Sequence, residues 1–284
     1  MSIEIIPVYK NLDNYVAGVE NNENNIEILW NKYAIEPYWD ILCQYAPFDI
    51  SDRKPKPIID IQSLKKQIEL LNRIDINILK SEFEKVVSEL PNYDDDTIYI
   101  ALYPLSDADS SVKELQNGVL GTSTFGNMLI NINPFADNFL EWIPYVFAHE
   151  YHHTVWGNYW YVMHGGELEN QFIDSLLIDG EADSFALSLF PNLKPKWLFD
   201  MSEASEKALW EKHYSKIVLE QNVDYCKFMF GDESAEIPWC AGYAIGYRIV
   251  HQFLRKNPNI TFRQLIEMRP TDIYRISKYN PLTF

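Results

Sequence analysis

The sequence is poor in sulfur. Its three cysteines, Cys43, Cys226 and Cys240, are an odd number, and no two of them stand in a CxxC pair. That argues against a disulfide framework and a cysteine-ligated zinc site, and it predicts reduced thiols. Positive charge is scarce as well: 24 Lys and Arg face 41 Asp and Glu, for a net charge of −17. Nucleic-acid phosphates need clustered Lys and Arg, and an anionic membrane surface repels such a chain, so neither is an expected partner. No apolar run approaches the roughly eighteen residues of a membrane span. The opening stretch MSIEIIPVYKNLDNY has neither the basic nor the apolar part of a secretory signal, so the expected location is cytoplasmic. There are no repeats and no low-complexity segment.

What is present suits a folded domain with a sizeable core: 284 residues, 47% apolar and 23% charged. The first part reads as helical. Ile28, Trp30, Tyr33, Ile35, Trp39, Leu42 and Tyr45 recur near helical spacing, interrupted at Pro37. After the loop SDRKPKP, the stretches SLKKQIELLNRI and KSEFEKVVSELP are amphipathic. The pattern then changes. TIYIALYPL, at 97–105, is β-branched and aromatic, which predicts a buried strand. GVLGTSTFGNMLINI, at 118–132, is punctuated by glycine and predicts a hairpin or a bulged edge strand. From about 137 onward the chain reads as helical again. The expected organisation is a helical part over 1–94 packed on an α+β domain over 95–284.

Chemistry concentrates in FAHEYHHTVWG, at 147–157, in a chain with six histidines. In a helix, positions i and i+4 share a face, so His149 and His153 can present imidazoles to one ion. Glu150 is rotated away from that pair and can reach a water without ligating the metal. Pro144 suits the first turn of such a helix, and Gly157 suits its end. A shuffled chain of this composition would contain HExxH roughly one time in a hundred, so the motif alone suggests a metal without deciding for one.

The third ligand has to come from elsewhere. In ENQFIDSLLIDGEADSFALSLFP, the residues Phe172, Leu176, Asp179, Asp183, Leu187 and Phe190 form one helical stripe. Two carboxylates within an apolar stripe are costly unless paired or metal-bound. Glu181, on the other side of the helix, is the alternative to Asp179, and Asp174 shares that other face. His152 stands i+3 from His149 and is expected to take a supporting or a solvent-facing role without ligating. His164, His213 and His251 are expected to be structural or exposed.

HEYHH, LLIDGEADSFA and AGYAIGYRIVHQFLRKNPN together resemble the predicted zinc-dependent proteases of domain-of-unknown-function family 2268. The likeness covers roughly 95 to 284. It implies a zincin-like α+β fold, one zinc per chain, a peptide or protein substrate, and hydrolysis by a zinc-activated water with Glu150 as general base. The family's third ligand opens a pattern such as EGLAE or ExxAD. Laid on this sequence, that glutamate falls on Asp179, and the closing acid falls on Asp183, which the likeness makes a partner for a ligand histidine. Aspartate is one methylene shorter than glutamate, and this departure keeps open a catalytically inactive zincin-fold binding or regulatory protein, while the carboxylate-rich site keeps open a non-hydrolytic metal–carboxylate protein holding iron or manganese. The last candidates are Tyr243 and Tyr247, with Gly242 and Gly246 forming a small-residue ridge beside them. A tyrosine is neutral at pH 7 and long enough to stabilise an oxyanion; Tyr243, nearer the helix start, is the expected donor.

Overall fold

A computed structural model describes residues 2–21, 25–106 and 110–281. Its backbone divides into two compact units, Met1–Val155 and Trp156–Phe284. Together they make an α+β protein, mostly helical, with one small mixed sheet.

The first unit holds that sheet. β1 (Ser2–Pro7), β2 (Thr97–Pro104), β3 (Val119–Ser123) and β4 (Met128–Ile132) lie in the order β1-β2-β4-β3. The pairs β1/β2 and β2/β4 are parallel, and β3/β4 is antiparallel. β1 corrects the expectation of an all-helical N-terminal part. Its SIEIIP alternation is only six residues long, and what makes it a strand is its pairing with β2, more than ninety residues away. Helices Ile61–Leu71 and Ile76–Glu89 form as their patterns predict, each capped by an aspartate (Asp60, Asp75) that accepts backbone N–H bonds at its first turn.

The expected hairpin over 118–132 is present, and its register sets up the site. Thr124 N–H donates to Asn127 O (2.8 Å), and Asn133 N–H donates to Gly118 O (2.7 Å). The even-numbered residues of β3 therefore bond to β4, and by antiparallel alternation Gly121 and Ser123 turn their N–H and C=O groups to the open edge, on which the Val119 N–H is taken by Gln116 O at 3.2 Å. The tip is a two-residue turn with both central residues at positive φ, Phe125 at 61° and Gly126 at 108°. Phe125 is an unusual residue for that region, and its ring is held edge-on by Phe48 at 5.1 Å.

The histidine-bearing helix runs Phe139–Gly157, ending at the expected glycine but starting earlier than expected. Pro144 lies inside it, not in its first turn. The carbonyl that Pro144 leaves without a backbone donor is that of Leu140, a residue 52% exposed, so water can satisfy it. The α-helix ends at Gly157, which with φ −63° leads into a π-helical turn, Asn158–Met163. Gly165 and Gly166, at φ 60° and 77°, follow that turn. The histidine-bearing helix is fixed by aromatic contacts within the first unit. Phe147 stacks on Phe83 at 3.9 Å, and the Tyr151 hydroxyl donates to Leu90 O at 2.8 Å.

The second unit packs the acid-bearing helix Phe172–Leu189 on the tyrosine-bearing helix Ala241–Lys256. The two cross at glycine. A Cβ on Gly246 would fall 2.0 Å from Leu176 O, and one on Gly180 would fall 2.4 Å from Gly246 C. Gly242 meets a different element, the helix Tyr225–Phe230, at Phe228 O and Met229. The small-residue ridge thus serves two neighbours. Behind the crossing, Arg248 pairs with the buried Glu206 at 2.7 Å, and Tyr279 also donates to Glu206. Among the described residues no helix is long and apolar enough to cross a membrane.

Candidate metal centre

The HExxH helix does locally what i, i+4 spacing requires. His149 and His153, both half-buried, bring their Nε2 atoms to 3.0 Å from each other. Two imidazole nitrogens at that separation share at most one proton between them, or a cation. Among the described residues, one group of three side chains offers donor atoms within 4.8 Å of one another, and it is His149, His153 and Asp179. Two neutral imidazoles and a carboxylate are a donor set that suits zinc, so the residues present fit the ion.

The other acids of the second helix are not members of that group. Asp179 is 4% exposed, and Glu181 and Asp183 are 0% exposed. This helix is buried all round, so its sequence stripe could not reveal which face carries the site. Burial holds the Glu181 carboxyl well above the usual carboxylate range. Asp183 accepts the Trp197 indole N–H at 3.2 Å to both carboxylate oxygens. Sequence reasoning missed Trp197, for which no local pattern signals a partner fourteen residues back. Asp174 is taken up by a capping box with Gln171, and burial pushes its carboxyl up to about 6.

Glu150 is 8% exposed. On the first unit's side it faces β3: a Cβ on Gly121 would fall 2.5 Å from both Cγ and Oε1 of Glu150. A side chain at position 121 would have to displace this carboxylate, so glycine lets the open strand lie directly against it. The signal for it, glycine punctuation in 118–132, was visible, though its target was not.

His152 is fully buried, with its ring 6.4 Å from that of His153, which leaves it no solvent-facing role. His164 and His251 are exposed. Tyr243 and Tyr247 are both half-buried. The Tyr243 ring lies 5.9 Å from that of Phe230. Tyr247 lies between Phe199 (5.7 Å) and His251 (5.6 Å). Burial and the Asp183 charge raise its phenol above the ordinary range. The three cysteines are free, and Cys240, at the start of the tyrosine helix, lies close enough to Asp183 and Asp179 to feel their charge.

These positions give a discriminating experiment. Asp179→Ala should release the metal, Glu181→Gln should retain it, and Asp183→Asn should weaken it by roughly 10- to 100-fold, as loss of a supporting hydrogen bond does. Zinc content and competition with a chromogenic chelator read all three, and retention of metal by Asp179→Ala would remove that residue from the donor set.

The sequence model of a family described as "Predicted Zn-dependent protease", domain of unknown function 2268, matches residues 62–275. The chain is also similar to the uncharacterized protein YjfC of Bacillus subtilis (strain 168), at 32% identity over 169 residues, which is 53% of this chain and 52% of that protein. It thus spans about half the length of that curated relative. No solved structure shows a significant match to it.

Proposed function

Since the chain belongs to this family of predicted Zn-dependent proteases, we propose that it is a zinc metallopeptidase with a zincin-like arrangement, acting on peptide or protein substrates. The observation that supports this best is the His149, His153 and Asp179 donor group beside an in-helix glutamate. Zinc held there would lower the pKa of a water to about 7 and polarise the scissile carbonyl. Glu150 takes the proton of the attacking water and returns it to the leaving amine. The open edge of β3, with the N–H and C=O groups of Gly121 turned outward, pairs with the substrate in extended form, as sheet edges do. Tyr243 is the proposed oxyanion donor, and Tyr247, which feels the Asp183 charge, is to be tested beside it.

Untagged protein purified under zinc-replete conditions should carry one zinc per chain and cut casein-derived peptides at internal bonds. His153→Ala should lose both the metal and the cleavage. A wild type without metal would sink the reading. Zinc without hydrolysis would turn it to the inactive binding protein that the aspartate in place of glutamate suggests, and iron or manganese in the site would turn it to the non-hydrolytic reading.

A further inference from the structure

Arg53 stands out in a chain with so few cations. It is half-buried in the loop after Ile50, and its guanidinium donates to Ser123 O, the last outward-facing carbonyl of β3. It also lies over the Phe125 ring at 5.1 Å. These two contacts fix its position, and neither neutralises its charge. Among the described residues no carboxylate forms an ion pair with it. The nearby Asp49 is occupied by Ser51, whose N–H and hydroxyl donate to it at 2.9 and 2.6 Å, and Asp52 is exposed. Lys54, held over Trp39 at 5.2 Å, and the exposed Lys56 add to the positive charge of the same loop. The result is a fixed cation at one end of an open strand, in a protein of net charge −17.

We propose that Arg53 selects substrates with an aspartate or glutamate two or three residues on the N-terminal side of the scissile bond. The inference rests on the peptidase reading. Gly121 lies against Glu150, so the bond to be cut passes near Gly121. A peptide added antiparallel to β3 makes the same paired perpendicular bonds that β4 makes on the other side. Moving from Gly121 to Ser123 then means moving toward the peptide's N-terminus by about 7 Å, or two residues. An acidic side chain there meets a guanidinium whose fork has donors to spare, and a carboxylate accepts from such a fork in bidentate fashion.

The test uses zinc-loaded protein and pairs of synthetic peptides that differ only in Glu against Gln at the second or third residue before the cut, with a degenerate peptide mixture to locate the cuts. Wild type should favour the Glu peptide by about tenfold in kcat/KM, the size of one charge-assisted hydrogen bond in a half-exposed site. Arg53→Gln, which keeps a donor for Ser123 O but not the charge, should bring the ratio near one. Arg53→Lys should keep part of it. The inactive Glu150→Gln variant should show the same Glu-over-Gln ratio in binding, read by fluorescence anisotropy. Equal cleavage of both peptides by wild type, an unchanged ratio in Arg53→Gln, or an acidic preference only on the C-terminal side would overturn the inference while leaving the peptidase reading intact. No cleavage by the zinc-loaded wild type would overturn the peptidase reading, and this inference with it. If Arg53→Gln does not fold, the wild-type ratio and its collapse at high salt decide the matter.

Discussion

Glu150→Gln should leave the protein folded and metal-loaded while lowering peptide hydrolysis by about 10²- to 10⁴-fold, the contribution of one well-placed general base. The substitution changes one atom and keeps the side-chain volume, which matters because the space is already taken: Glu150 is 8% exposed and packs against the backbone of Gly121. A fall in turnover is then a loss of proton transfer and not of structure. Zinc analysis, the melting temperature and cleavage of a casein-peptide mixture should be measured on one preparation. Metal loss in this variant would make Glu150 a ligand and remove the assignment of roles along the helix. Full activity would remove its catalytic role.

Gly246→Ala should cost about 3 kcal/mol or more and lower the melting temperature by roughly 10 °C. The added methyl would fall 2.0 Å from Leu176 O, and the obstacle is helix backbone, which has no rotamer to escape into. The two helices must part, and they form the centre of the second unit's core together with Leu176, Ile245 and Ile249. Gly157→Ala is the matched control. Gly157 has helical φ and nothing within 4 Å of the added Cβ. There alanine should stabilise by about 0.5–1 kcal/mol, through helix propensity and a less flexible unfolded chain. Equal melting temperatures for Gly246→Ala and wild type would mean that the helices cross less closely than described.

Much of this arrangement is legible in the sequence because it is local. The i, i+4 histidines, the acids within an apolar run and the glycine-marked hairpin each declare themselves within twenty residues. The less legible parts depend on distant partners. β1 exists because β2 accepts it. Asp179 and Glu181 look alike in a helix that is buried on every side. The start of the histidine helix is hidden because Pro144 is tolerated beside an exposed carbonyl, and the π-helical turn after Gly157 has no local signal. Trp197, Gly121 and Arg53 have meaning only through Asp183, Glu150 and Ser123, and no spacing rule connects those pairs.

A strand edge left open for a substrate is also a template on which another copy of the chain can grow. β3 is only five residues long, and Arg53 covers its last outward carbonyl, so the uncovered stretch is too short to seed a stable intermolecular sheet. The surplus of negative charge keeps copies apart at a distance. The arginine proposed to read the substrate would in this light also act as a gatekeeper against self-association, by covering part of a short edge.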